Sequence, residues 1–173
     1  MRLVELFDRK AEWHPAGGDA LAQYYEFRAG NKAYRVRIDR PTPMMDLIGE
    51  FLDPDDLTRQ QTDHVMNLVN EGRKFSYVEF SMYDSSSPYK SVQYGTQEVT
   101  GTGNEYLVFS TVLDIIKSYI GKSNADYLFF QAKEPSRIKL YDRLARMAGK
   151  EVLKLGTNDA EDFMTYLGYL VEV

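Results

Sequence analysis

The chain has no cysteine in its 173 residues, and it has only two histidines. Without cysteine it can form neither a disulfide nor a thiolate zinc site, which is typical of proteins from a reducing compartment. The histidines stand far apart in sequence, and we expect His14 in a proline- and glycine-containing loop and His64 in an amphipathic helix. The sequence therefore predicts no metal site and no Ser-His-Asp triad, and it predicts structural roles for both histidines.

Long hydrophobic runs and a large excess of one charge are also lacking. The longest apolar helical stretch, residues 106–120, is interrupted by serine, threonine, aspartate and lysine and is too polar to span a bilayer. Acidic residues break up residues 1–8 before the apolar core of a signal peptide could form. The net charge of −5 would repel a polyanion such as DNA. These features predict a soluble cytoplasmic protein with no membrane partner, and they disfavour nucleic acid as a partner.

Apolar residues are plentiful, since 43% of the chain is hydrophobic and 13% is aromatic. This supply is enough for the core of one domain. We predict a single α/β (α+β) domain over residues 1–173, with a mixed, mostly antiparallel sheet flanked by helices. Residues 1–100 supply hairpins and helices, and residues 101–173 supply a glycine loop, a helix, a strand, a second helix and two closing strands.

Alternation of polar and apolar residues predicts a hairpin near the N-terminus. Its strands are Ala22–Arg28 and Lys32–Arg40, joined by a turn that contains Gly30. Within the second strand the apolar side chains share one face, so Arg35 and Arg37 lie on the other. We expect these arginines on a solvated face.

The other elements follow from helical spacing, alternation and turn residues. They are a helix that starts at Asp53-Pro54 and ends at Gly72, a strand at Lys74–Tyr83, its hairpin partner at Lys90–Thr96, a largely buried helix at Glu105–Ile120, an interior strand at Tyr127–Phe130, a helix from Pro135 or Ser136 to Ala148, and closing strands at Glu151–Leu155 and Phe163–Val173.

A glycine-containing turn, Gly101-Thr102-Gly103-Asn104, precedes the long helix. Free backbone amides and the positive end of the helix dipole make such a turn suited to a pyrophosphate, although glycines also serve helix entry for steric reasons alone. This order of elements resembles the GNAT acetyltransferases, whose Gln/Arg-x-x-Gly-x-Gly/Ala turn holds acetyl-CoA. The resemblance implies acetyl-CoA as cofactor, bound by these four residues. Glu98 stands where the family has glutamine or arginine, and its carboxylate would oppose a pyrophosphate.

A second stretch, Ser136–Leu144, resembles the family's Asn-x-x-Ala-x-x-Leu-Tyr helix through its Leu-Tyr pair. Glu134 stands at the asparagine position and Arg137 at the alanine position. The family's tyrosine serves as general acid toward the leaving thiolate, so the resemblance implies this role for Tyr141. The alternative is a tyrosine whose ring lies in the core.

A catalytic base in this family is often a glutamate on a central strand, and Glu79 lies on a predicted strand. Glu98 lies where a strand passes into the glycine loop, and either glutamate could deprotonate an amine through a water molecule. The alternative is a solvated glutamate without a catalytic role. Glu79 and Tyr141 are therefore the candidate catalytic residues.

The stretch Gly101–Leu144 is also similar to uncharacterised small proteins encoded in tailed-phage genomes, which implies a GNAT-like fold with no assigned activity. Two hypotheses remain. In the first, a catalytically degenerate GNAT-like module binds a protein partner, in the cytoplasm of an infected bacterium or in the virion. In the second, an N-acetyltransferase moves an acetyl group from acetyl-CoA to an amine of a protein or small molecule. The altered polar positions of both motifs favour the first, and tyrosine-rich strands fit a protein partner or a homo-oligomer.

Overall fold

A computed structural model of the chain describes residues 9–83, 104–132, 138–156 and 167–173. These residues form a mixed α/β structure with a mostly antiparallel sheet, which confirms the predicted fold class. The described strands are β1 (Trp13–Gly18), β2 (Ala22–Ala29), β3 (Lys32–Asp39), β4 (Thr42–Pro43), β5 (Lys74–Tyr83), β6 (Tyr127–Ala132), β7 (Val152–Leu155) and β8 (Leu167–Glu172). The described helices are α1 (Leu47–Glu50), α2 (Arg59–Asn70), α3 (Glu105–Ile120) and α4 (Ile138–Ala148). None of these helices is long and apolar enough to cross a membrane.

The described chain divides into two compact units. The first contains residues 9–39, 78–83 and 104–121, and the second contains residues 40–77, 122–132, 138–156 and 167–173. Strand β5 contributes to both, because the division falls between Tyr77 and Val78. The single-domain organisation expected from the sequence stays a prediction.

In the first unit, β1, β2, β3 and the end of β5 pair in antiparallel fashion in that order. The alternation in β3 is as predicted, since its apolar residues are buried. The rings of Phe27 and Tyr34 stack across β2 and β3 at 5.2 Å, and Phe80 of β5 meets Phe109 of α3 edge-on at 5.4 Å. Gly30 turns the hairpin with a φ of 63°. The predicted hairpin and the predicted long helix α3 are both confirmed.

Strand β1 corrects the expected loop around His14. Residues Trp13 to Pro15 pair with β2, and the register shifts before Gly18. Proline is tolerated in an end strand, and a bulge accommodates an irregular residue without ending the pairing. Proline and glycine therefore indicated a loop where the chain makes an irregular strand.

Polar side chains on α3 hold the segment that precedes β1. Ser110 donates to the carbonyl of Arg9, and Thr111 Oγ1 accepts the amide of Ala11 at 2.9 Å. The Asp114 carboxylate accepts from Lys10 Nζ at 2.6 Å and from the indole of Trp13 at 2.8 Å. The polar residues that interrupt this apolar helix thus anchor the start of the described chain.

In the second unit, β4 pairs with β5, and the order continues through β6 and β8 to β7. Among the described strands only β5 and β6 pair in parallel, over Phe75–Tyr77 and Tyr127–Phe129. The predicted interior strand β6 is confirmed, because it lies between β5 and β8. The hydrophobic core of the second unit contains Met44, Leu47, Leu52, Val65, Leu68, Phe75, Phe129, Leu155 and Leu170.

Helix α2 starts later than predicted. The residues after Asp53 form one 3-10 turn, and Asp53 accepts the amide of Asp55 at 3.0 Å. The helix itself begins after Thr58, which makes a capping box with Gln61. The chain therefore has two successive caps, Asp53 for the 3-10 turn and Thr58 for the helix, where the sequence predicted one. The predicted end is confirmed, since Gly72 has a φ of 68° and completes the final turn.

Candidate functional site

Part of the predicted cofactor site lies outside the described residues. Glu98, Gly101, Thr102 and Gly103 belong to this part, as do the predicted strand Lys90–Thr96 and the starts of the predicted last helix and last strand. The structure describes Asn104, Glu79 and Tyr141. The first two belong to the first unit, and Tyr141 belongs to the second.

Asn104 begins α3 through its backbone, since its carbonyl accepts the amide of Val108 at 2.9 Å. Its side chain makes no capping hydrogen bond. The side-chain amide lies instead against the β2–β3 turn, where a Cβ added to Gly30 would come within 2.8 Å of Asn104 Nδ2. The described part of the predicted phosphate site therefore packs on a hairpin turn of its own unit.

Tyr141 lies on the buried face of α4. Only 8% of the residue is exposed, and it shares that face with Leu144, Ala145 and Ala148, at the spacing of an amphipathic helix. Its ring centre is 5.7 Å from that of Phe130 and 6.3 Å from that of Tyr169. The side chain is thus part of an aromatic core, as the alternative interpretation of the sequence held.

A second tyrosine in this core, Tyr169 of β8, has polar partners that the sequence did not reveal. It is fully buried and donates its hydroxyl to Asp142 Oδ1 at 2.8 Å. Lys154 Nζ lies 2.9 Å from the same oxygen. The pKa of Tyr169 is raised, chiefly by burial and then by the hydrogen bond to Asp142 and the charge of Asp142. This proton stays on the tyrosine, so the cluster is a hydrogen-bonded network that runs from the buried Tyr169 through the half-buried Asp142 to the exposed Lys154.

The Asp142 carboxylate responds in the opposite direction. Burial raises its pKa, but the hydrogen bonds from Lys154 and Tyr169, together with the charge of Lys154, outweigh burial, and the pKa is lowered overall. Asp142 is therefore a fixed anion. Its partners lie 12 and 27 positions away in the sequence, which is why local spacing could not reveal the group.

Glu79 belongs to a group of charged residues on the polar face of the first unit, which we call the charged ladder: Glu26, Arg35, Arg37, Asp39 and Glu79. Glu26 is opposite Arg35 across β2 and β3, and Arg37 is opposite Glu79 across β3 and β5. All five residues are half-buried. Acidic residues thus lie on β2 and β5, on either side of the two arginines of β3.

Ion pairs order the arginines of the charged ladder. Arg35 donates to Glu26, with Nε 3.0 Å from Oε1, and its guanidinium lies 5.6 Å from the ring centre of Tyr24. Arg37 Nε donates to Asp39 Oδ1 at 2.6 Å. The Arg35 side chain is only 17% exposed. The expected solvated face is therefore a set of half-buried, paired charges.

Asp39 shows how burial and pairing compete in the charged ladder. Burial raises its pKa, and the hydrogen bond and charge of Arg37 oppose the rise without cancelling it. The carboxylate is therefore held in its charged form chiefly by Arg37.

Among the described residues, no group of three or more histidine, aspartate or glutamate side chains could hold a metal ion.

No protein-family model, curated protein or solved structure matches this chain. The GNAT-like fold and the tailed-phage relatives stay predictions.

Proposed function

We propose that this chain is a GNAT-like protein that has lost acyl transfer and acts by binding protein, as a phage-type or virion-associated module. The observation that carries the proposal is the place of Tyr141, whose ring packs in an aromatic core with 8% of the residue exposed. A general acid needs its proton within hydrogen-bond reach of the leaving group. A tyrosine that supplies the core with packing is poorly suited to meet a bulky thioester.

The candidate base has an equally local role. Glu79 is opposite Arg37 in the antiparallel pairing of β3 and β5. Burial lowers the pKa of Arg37, but the hydrogen bond and charge of Asp39 and the weaker effects of Tyr24 and Glu79 raise it overall. Glu79 is thus one member of a set of opposite charges on neighbouring strands, a role that needs no catalysis.

The charged ladder supplies the surface for the proposed binding role. Its side chains are ordered by ion pairs, so less conformational freedom is lost when a partner docks. Arg35, Arg37 and the neighbouring Tyr24 are of the residue types that dominate binding energy at interfaces. The binding surface proposed here is therefore the polar face of the first unit.

The N-acetyltransferase alternative is favoured by a different observation. Strands β5 and β6 pair in parallel in an otherwise antiparallel set, and α3 lies between them in the chain. The resemblance to the GNAT family implies a mixed sheet, and this parallel pair makes the sheet mixed. The two hypotheses therefore share a fold and differ in whether the chain binds acetyl-CoA.

Calorimetric titration with acetyl-CoA tests the proposal. We expect no heat beyond dilution for the unaltered chain, because Glu98 opposes a pyrophosphate and Tyr141 lies in the core. Binding with a Kd of about 1 μM, worth about −8 kcal/mol, would contradict the proposal if Gly103→Arg abolishes it. Gly121→Arg is the matched control, because it adds the same charge at the other end of α3, where a Cβ would meet nothing closer than 3.7 Å.

A further inference from the structure

We propose that the partner of the charged ladder is a second copy of this chain, which forms a two-fold dimer through the same face. The inference rests on the proposed function, because it names the class of partner for the proposed binding surface. It follows from the positions of the charges on three neighbouring strands.

The first step is the alternation of charge across the strands. The two arginines lie on β3, Glu26 lies on β2, and Glu79 lies on β5. Arg37 and Glu79 are direct cross-strand partners, so they lie at the same height along the sheet. Neighbouring strands are about 4.8 Å apart. The two arginines of β3 therefore have an acidic side chain on each neighbouring strand, and Asp39 follows them at the end of β3.

The second step is the symmetry that this arrangement permits. A two-fold axis that runs between β3 and β5, parallel to both strands, would place β3 of each copy over β5 of the other. Arg37 would then face Glu79 of the partner subunit, and Glu79 would face Arg37 of the partner subunit. Both contacts join opposite charges, and each occurs twice because the interface is isologous.

The third step is the comparison with other occupants. A partner of a single charge, acidic or basic, would meet both signs on this face, because acidic side chains lie beside the arginines. Like charges brought together cost binding energy. A polyanion is also repelled by the net charge of −5. A second copy, placed with its β3 over β5 of the first, sets an arginine against each glutamate of the Arg37–Glu79 pair and a glutamate against each arginine.

Sedimentation velocity of four samples tests the dimer: the unaltered chain, Arg37→Glu, Glu79→Arg, and a 1:1 mixture of the two variants. We expect a dimer for the unaltered chain. Each variant alone places like charges together and should weaken self-association at least about tenfold. The mixture should recover the dimer, because two acidic side chains at positions 37 and 79 of one variant then face two basic side chains at these positions of the other. Recovery by mixing is specific to this pairing.

Glu50→Arg is the matched control, since this exposed residue lies in the second unit and its reversal should leave the dimer unchanged. Circular dichroism shows whether each variant is folded. If a charge-reversed variant is not folded, the neutral variant at the same position, Arg37→Gln or Glu79→Gln, takes its place. We expect weakened self-association for each neutral variant. An unaltered chain that is monomeric at about 200 μM, or a mixture that stays monomeric, would overturn the inference. Acetyl-CoA binding is scored separately, so a dimer that binds acetyl-CoA would contradict only the proposed function.

Discussion

Tyr141→Ala should lower the free energy of unfolding by about 3–5 kcal/mol, the range for removing a buried aromatic ring. The ring packs with Phe130 and Tyr169, and its loss leaves a cavity beneath α4. Urea denaturation followed by circular dichroism measures the change. This is the largest change in stability that we expect, because the ring of Tyr141 is buried in the core. The same tyrosine is the one that resembles a catalytic acid in the sequence.

Two further variants serve as controls for Tyr141→Ala. Tyr141→Phe keeps the ring and should cost only about 1 kcal/mol, the value of one hydrogen bond. Met147→Ala on the same helix removes an exposed side chain and should change stability by less than about 0.5 kcal/mol. If Tyr141→Ala were as mild as Met147→Ala, Tyr141 would not be a core residue.

Asp114→Ala should lower the free energy of unfolding by about 2–3 kcal/mol, because two hydrogen bonds to a charged group disappear. It should also shift the fluorescence of Trp13 to longer wavelength, since the indole loses its partner on α3. Trp13 is the only tryptophan in the chain, so the tryptophan emission reports on the surroundings of this one indole. Asp63→Ala, an exposed aspartate of α2, should leave both measurements unchanged.

The same site predicts a dependence on pH. Burial raises the pKa of Asp114, but the hydrogen bonds from Lys10 and Trp13 and the nearby lysine charges outweigh it, so the folded pKa is lowered. A lowered folded pKa stabilises the fold above the unfolded value, about 3.9, and this stability is lost as the pH falls through the folded value. The stability difference between the unaltered chain and Asp114→Asn should therefore shrink below about pH 4. A difference that grows there would contradict this account of the site.

Local periodicity predicted the longest elements well. The bounds of α3 and β5 are those that the sequence predicted, because each pattern is long and has a single period. The capping of α2 and the edge strand β1 were missed for a shared reason. In both places a proline lies close to the boundary, and the pairing or capping that decides it involves residues further along the chain.

The candidate site was harder to predict than the fold. The Leu-Tyr pair placed Tyr141 on a helix, yet the side of the helix that enters the core depends on β6 and β8, which are distant in sequence. The same holds for Asp142, Lys154 and Tyr169. Arg35 and Arg37 were expected in solvent because they alternate with core residues, but alternation does not show that neighbouring strands supply their counter-charges.

Nitration of the folded chain, mapped by mass spectrometry, tests most directly whether Tyr141 is a core residue. We expect Tyr141 and Tyr169 to stay unmodified until the chain is unfolded in urea, while Tyr106, with 37% of its surface exposed, is modified in the native state. Modification of Tyr141 in the native chain at the rate of Tyr106 would show its hydroxyl open to reagents. That result would contradict the core role and favour the catalytic hypothesis.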